Sequence, residues 1–391
     1  MLNTALSPWP SFTQEEADAV SRVLLSNKVN YWTGSECREF EKEFAAFAGT
    51  QYAVAVANGT LALDVALKAM GIGAGDDVIV TSRTFLASAS CIVTAGANPV
   101  FADVDLNSQN ISAETVKAAL TPNTKAVIVV HLAGMPAEMD GIMDLAKEHD
   151  LWVIEDCAQA HGAKYKGKSV GSIGHVGAWS FCQDKIMTTG GEGGMVTTND
   201  KELWSKMWSY KDHGKSYDAV YHREHAPGFR WLHESFGTNW RMMEMQAVIG
   251  RIQLKRMPEW TARRQAHAAK LAESLGKFAG IRLIEVADYI EHAQYKFYAF
   301  VKPEHLKEGW TRGRIVNELN ARKVPCYQGS CSEVYLEKAF DNTPWRPKER
   351  LKNAVELGDT SLMFLVHPTL TDDEIAFCQK HIEAVLAEAT A

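Results

Sequence analysis

YAVAVANGTLALDVALKAM, residues 52–70, decides the fold. Its first six residues form a valine-rich apolar run suited to a buried strand, and Asn58, Gly59 and Thr60 end that run and open a helical pattern. The same alternation continues outward. DVIV (77–80), PVFADV (99–104), KAVIVV (125–130) and LWVIED (151–156) are short apolar runs, with helical stretches such as MDGIMDLAKEHD (139–150) between them. Strands alternating with helices predict an α/β fold with a mostly parallel sheet covered on both faces. AWSF (178–181) and GGMVTTN (193–199) are close together and are expected to return as further strands of that sheet.

Upstream, Thr13 and Glu16 make a capping box for an amphipathic helix reaching Asn27, and Phe40, Phe44 and Phe47 mark one face of a second helix. Downstream, residues 213–238 are rich in His, Tyr, Trp and Gly with no sustained period, which predicts a long irregular excursion. Glu244 to Leu275 reads as a helix that Pro258 should end or kink, because proline lacks the N–H the helix needs there. KFYAFVKP (296–303) reads as a strand, TRGRIVNELNARK (311–323) as a helix, and Thr371 with Glu374 caps a last helix. The chain has 391 residues, too many for one small core, so we expect a large domain over 1–250 and a small C-terminal α/β domain, with its connecting helix, over 251–391.

The formal net charge of −7 argues against a nucleic-acid or anionic-membrane coat, since both need a cationic field. No run approaches the roughly 20 apolar residues of a membrane span, and the start lacks a basic region followed by an apolar core. A cytoplasmic protein that works on small molecules is expected. The seven cysteines are scattered without metal-ligand spacing, so most should be reduced core thiols.

Several residues fall where a pyridoxal 5'-phosphate (PLP) site needs them: a lysine for the aldehyde, an acid for the pyridine nitrogen, a phosphate cradle and a flat apolar surface. Lys185, in WSFCQDKIMTTGGEGGM (179–195), follows a short strand and precedes a glycine-rich turn, which would leave its amine in a cleft; burial and nearby cations would lower its pKa. A solvated turn lysine is the bland alternative. Asp156 ends the strand LWVIED, at the carboxyl edge of a parallel sheet, although an acid there serves equally as a helix cap. The N–H groups of Asn58, Gly59 and Thr60, with the Thr60 hydroxyl, can point at a phosphate, or make a plain N-cap. Ser180 offers a second hydroxyl to that phosphate, and Phe85 could cover the ring or belong to the core.

Taken together, ANGTLAL (57–63), VIEDCAQAHGA (153–163), the G-x-x-G-x-x-G-A-W-S-F run leading to Lys185, GGEGGMVTTND (190–200) and GTNWRMMEMQAVIG (237–250) carry a likeness over nearly the whole chain. The sequence resembles the DegT/DnrJ/EryC1/StrS sugar aminotransferases, which implies the fold-type I PLP-transferase architecture. The resemblance implies that Lys185 is the Schiff-base lysine, Asp156 pairs with the pyridine nitrogen and Gln159 bonds the ring hydroxyl. Gly59, Thr60 and Ser180 would bind phosphate, Phe85 would stack on the ring, and Asn239 would reach the phosphate from the other subunit of an obligatory homodimer.

The same resemblance implies a mechanism in which L-glutamate gives its amine to the cofactor and a nucleotide-linked keto-sugar receives it, with ping-pong kinetics. The products would serve amino-sugar and surface-glycan biosynthesis, such as lipopolysaccharide O-antigen. Members with His in place of the lysine dehydrate sugars, so Lys185 points to transamination. K-I-M-T-T (185–189) looks like members acting on a C4 ketone, such as perosamine synthases, more than those acting on C3. Thr33 and Arg241 are candidates to meet substrate, Arg241 having an inter-subunit salt bridge as its alternative role. Ala133, where the family often has Tyr, and GGEGG, where GEGG is common, are departures expected to reshape the sugar pocket.

Competing readings are a 3-keto-sugar or cyclitol aminotransferase, a sugar dehydratase, and a PLP-bearing regulatory protein, which would need a missing lysine or a DNA-binding appendage. A metalloprotein using His131, His161, His175 and Cys157 or Cys182 is disfavoured because the spacings match no common zinc pattern, so no metal is expected.

Overall fold

The computed structural model describes residues 6–390. Fourteen strands occur among them, in chain order β1 (Tyr52–Val56), β2 (Asp77–Thr81), β3 (Asn98–Ala102), β4 (Thr124–Val130), β5 (Trp152–Asp156), β6 (Lys164–Tyr165), β7 (Lys168–Ser169), β8 (Val176–Ser180), β9 (Gly194–Thr198), β10 (Ile281–Leu283), β11 (Ile290–Glu291), β12 (Phe297–Val301), β13 (Cys326–Tyr327) and β14 (Ser361–Phe364). A seven-stranded sheet has the order β1-β9-β8-β5-β4-β2-β3, and β9 alone runs antiparallel to its neighbours. The valine-rich runs explain this arrangement. Ala126 and Ile128 of β4 pack into one buried cluster while Val127 and Val129 pack into another, so both faces of the strand need a covering helix layer. AWSF and GGMVTTN do join the same sheet, as β8 and β9.

A second sheet, β10-β12-β14-β13, is antiparallel and packs with the helices Arg312–Ala321 and Asp372–Ala389 around Ile281, Phe297, Leu362 and Ile382. The helix Glu244–Leu275 joins the two cores: Met257 and Trp260 lie in the core beneath the large sheet, Ala268, Leu271 and Leu275 in that of the small one. Pro258 sits inside this helix without ending it. The division expected after residue 250 falls within the helix. The N-terminal segment crosses that division: Trp9 packs edge-on against Trp260 at 5.1 Å, and Ser7 N–H donates to Glu374 at 2.6 Å.

Both expected capping boxes form, at Thr13/Glu16 before the helix Gln14–Leu25 and at Thr371/Glu374 before the last helix. Phe40 and Phe44 of the helix Glu36–Ala48 are buried and Phe47 is half-buried. Residues 213–238 hold only the short helix Tyr217–Tyr221 and are otherwise irregular. Of the seven cysteines five are buried, all are free, and only Cys182 and Cys331 reach solvent. No described helix is long and apolar enough to cross a membrane.

The loop after β5 is anchored from beneath the sheet. Glu155 is fully buried and accepts hydrogen bonds from His131 Nε2–H at 2.9 Å and from the N–H groups of Gly171, Ile173 and Gly174 at 2.8, 2.8 and 2.6 Å. His131 Nδ1 accepts from Ala137 N–H at 3.0 Å, which fixes the proton on Nε2. Burial alone would raise the Glu155 carboxyl, but the bonds from His131, Gly171 and Gly174 outweigh it and leave it below the ordinary carboxylate range. Glu155→Leu strands three backbone donors and a histidine, and is expected to cost about 3–5 kcal/mol in urea unfolding. A lowered folded value means the carboxylate's stabilisation is complete above its ordinary value of 4.5 and is lost as the pH falls through the folded value. The acid limb of the stability curve should therefore flatten in Glu155→Gln.

Candidate active site

The carboxyl ends of β1, β5 and β8 meet at one edge of the large sheet, where an open α/β sheet leaves its crevice. Asn58 follows β1 and caps the helix Gly59–Ala69, its side chain accepting from Leu61 N–H at 3.0 Å. Gly59 and Thr60 are the first two residues of that helix, so the helical ladder leaves their N–H groups free. Ser180 ends β8 and faces them. A Cβ built on Gly59 would lie 2.5 Å from Ser180 Cβ, so only glycine allows this approach.

Asp156 is the last residue of β5, one position after Glu155 and therefore on the opposite face. It is buried, accepts from Ser88 Oγ–H at 2.8 Å and from Ala158 N–H at 3.1 Å, and keeps lone pairs for a further donor. Burial pushes its carboxyl above the ordinary range, against the pull of Ser88, Ala158 and the Lys185 charge. Such a group gains most from a cation placed before it. Gln159 accepts from Ala133 N–H at 2.8 Å, which commits its amide oxygen and leaves its two N–H donors. Ala133 holds that position from a left-handed backbone, φ 57°, with its side chain in the core. Ala133 lines neither cavity of the site.

Lys185 lies at the floor of the crevice, its side chain 17% exposed and its Nζ 3.6 Å from Asp184 Oδ1. Trp9 Nε1–H donates to the Lys185 carbonyl at 2.9 Å, tying the N-terminal segment to the lysine loop. Tyr295 donates its hydroxyl to Asp184, and its ring centre lies 5.4 Å from Lys185 Nζ. Burial raises the Asp184 carboxyl, but Lys185, Tyr295 and Lys296 together pull it below the ordinary range.

Gly59, Thr60, Phe85, Asp156, Gln159, Ser180 and Lys185 all line one cavity of about 560 Å³, a size within the roughly 300–1,000 Å³ usual for cofactor pockets. Phe85 is 71% exposed, standing over the cavity instead of joining the core. The donor set fits PLP: a desolvated carboxylate, an amide with two free N–H groups, a helix N-terminus beside a serine, and a lysine amine. A second cleft of about 800 Å³ continues outward from Lys185 between the two sheets' loops, and there Trp9, Asp184, Tyr295 and Lys296 join the site. Sequence reasoning missed all four. Asp184 was legible beside Lys185; the others come from distant segments with no local signal.

Thr33 and Arg241 do not line this cavity, and Asn239, expected at the other subunit's phosphate, does not line its own chain's cavity. Asn239 is exposed and pairs with Asp212 in an isolated bridge, while Val56 pairs with Arg241, so the GTNWRM segment runs beside the end of β1. The Arg241 guanidinium pairs through one nitrogen with Asp212 at 2.8 Å within the same chain, and its Nε is left without a partner among the described residues. Thr33 is exposed in a turn, its hydroxyl donating to the Asn30 carbonyl at 3.2 Å. The residues weighed for metal also part company. His131 and Cys157 approach each other beside Glu155, but both His131 nitrogens are already hydrogen-bonded. His161 is packed against Phe44, Trp179 and Phe181, its pKa pushed down to about 3 by burial and the Lys185 charge.

A model of the DegT/DnrJ/EryC1/StrS aminotransferase family matches residues 10–383. The chain belongs to this family. As a member it is a PLP-dependent sugar aminotransferase. The solved structure of an aminotransferase from Psychrobacter cryohalolentis is similar over 98% of this chain and 99% of that one, with 64% sequence identity and a TM-score of 0.97. The chain is 46% identical to the GDP-perosamine synthase of Caulobacter vibrioides over 58% of each sequence. It is 40% identical to the dTDP-3-amino-3,4,6-trideoxy-alpha-D-glucose transaminase of Streptomyces venezuelae, over 82% of this chain and 79% of that one. The family match agrees with the placement of the lysine and the acid at one sheet edge, which rests on geometry alone.

Proposed function

We propose that this aminotransferase moves an amino group from L-glutamate to a nucleotide-linked 4-keto-6-deoxy sugar, as a homodimer with shared active sites. The observation that carries amino transfer is Lys185 itself, at the floor of a cavity that also holds Asp156, Gln159 and Ser180. Support for C4 comes from the likeness to a perosamine synthase. The relatives bear names of both kinds, so the experiment below has to separate C4 from C3. Beyond Lys185, K-I-M-T-T lines neither cavity: Ile186, Met187, Thr188 and Thr189 are all buried. For the dimer, the support is that Phe229, Trp231 and Phe236 are 77, 82 and 99% exposed, an apolar group that a second copy would cover, with Asn239 in the same segment.

When bound, PLP supplies the electron sink that allows the Cα–H bond of the donor to break. Asp156 would keep the ring nitrogen protonated, and the free Gln159 N–H groups would hold the ring hydroxyl. Gly59, Thr60 and Ser180 would cradle the phosphate, and Phe85 would cover a ring face. Lys185 Nζ takes the proton from the donor Cα and later delivers one to the sugar carbon that receives nitrogen. Glutamate leaves as 2-oxoglutarate and the ketone leaves as an amine, so no outside oxidant or reductant is needed.

The test separates the half-reactions. L-Glutamate alone should give up to one 2-oxoglutarate per site, and a panel of UDP-, GDP- and dTDP-linked 4-keto-6-deoxy sugars should then yield a product with its amine on C4 by NMR. Double-reciprocal plots should be parallel. Amination at C3, sequential kinetics, or loss of water without glutamate would overturn this reading.

A further inference from the structure

Lys296, one residue before β12, is only 8% exposed. Its ammonium has no carboxylate within 4.0 Å and no hydrogen-bond acceptor among the described residues. Its Nζ stands 4.6 Å from the centre of the Tyr295 ring, and Lys185 Nζ stands 5.4 Å from the same centre, so the two nitrogens are no farther apart than the sum of those distances. Both residues line the cleft of about 800 Å³. Arg264 adds a further buried cation, its guanidinium 5.0 Å from the Trp9 ring centre and its NH1 donating to the Tyr295 carbonyl at 3.3 Å.

Against these charges, the cleft holds Asp184, already engaged by Lys185 and Tyr295, and Glu337, which is exposed to solvent. Asp184 is thus shared among Lys185, Tyr295 and Lys296, and positive charge is in excess beside Lys296. Burial pushes the Lys296 ammonium down to about 8, which still leaves it mostly protonated at neutral pH. An ammonium on a mostly buried side chain with no ion-pair partner gains from an arriving anion.

We propose that Lys296 is the carboxylate-binding residue for the amino donor, taking a carboxylate of the amino acid whose amine reacts beside Lys185. This rests on the aminotransferase reading above. A donor amino acid carries one carboxylate on the carbon bearing its amine, and a dicarboxylic donor carries a second at the far end of its chain. The upper bound on the Lys185–Lys296 separation lets one such molecule reach both nitrogens. The alternative anion is the diphosphate of the nucleotide sugar. It brings more charge than one ammonium matches.

The test uses the holoenzyme and two unreactive probes, maleate as a dicarboxylate and inorganic pyrophosphate, with binding measured by calorimetry. Lys296→Met should weaken maleate roughly tenfold or more, while Lys296→Arg stays near wild type and pyrophosphate is unaffected by either. In single-turnover experiments the Met variant should need correspondingly more L-glutamate for half-maximal conversion, with the rate at saturation little changed. Far-ultraviolet dichroism and the melting temperature check that each variant is folded. Unaltered maleate binding in the Met variant, no maleate binding in wild type, or a loss confined to pyrophosphate would each overturn the assignment. Lys296-dependent maleate binding in an enzyme that forms no 2-oxoglutarate would instead overturn the choice of donor and leave the carboxylate site standing, so the two readings fail separately.

Discussion

Lys185→Ala is expected to lower 2-oxoglutarate formation from L-glutamate by roughly 10³-fold or more, because the substitution removes both the attachment point and the proton carrier. No neighbour can take over. Asp184 is held by the Tyr295 hydroxyl and is no amine, and Lys296, anchored one residue before β12, lines the outer cleft but not the cavity of about 560 Å³. The variant should fold, since the Lys185 side chain lines a cleft and its ion pair is with the half-exposed Asp184. Lys185→Arg makes a second case: it keeps a cation near Asp184 but cannot lose its proton, so it should be as inactive as alanine. Absorbance between 300 and 450 nm, read before and after L-glutamate, checks both variants. Undiminished conversion in either would remove Lys185 from the chemistry.

Asp156→Asn should reduce kcat by roughly 10²- to 10³-fold, with a much smaller effect on stability. The change is nearly isosteric, and an asparagine oxygen can still accept from Ala158 N–H while Ser88 Oγ turns to accept. What is lost is the negative charge. Asp156 sits in a buried site that raises its carboxyl, and the charge of Lys185 only partly offsets that. A positively charged ring nitrogen would restore the balance, and asparagine cannot hold that proton by charge. Ser88→Ala removes one hydrogen bond of roughly 1 kcal/mol and keeps the carboxylate, so it should cost only several-fold. Stopped-flow rates for the glutamate half-reaction distinguish the two. Equal losses in both variants would mean that orientation, and not charge, is the contribution of Asp156.

The strand-to-helix turn proposed to cradle phosphate was legible because its parts are adjacent in sequence. A strand end, Asn58 as cap and Gly59–Thr60 as the first helical residues follow one another, and short-range hydrogen bonding is enough to arrange them. Arg241 and Thr33 show the opposite case. A charged or hydroxyl side chain carries no mark of its partner, and Asp212 and the Asn30 carbonyl took theirs. The acids of VIED show where the boundary falls. Strand alternation says that Glu155 and Asp156 face opposite ways, yet which one meets the crevice depends on the side where His131 and Gly171–Gly174 fold over.

By itself, then, the sequence determined the parallel sheet, its covering helices, the capped termini, and the lysine, acid and phosphate motifs. These depend on two- and 3.6-residue periodicity and on contacts within a few positions. Only the tertiary structure decided that Trp9, Tyr295 and Lys296 meet Lys185, because the N-terminal segment and β12 are carried there by the helix Glu244–Leu275 and by packing between two separately built cores.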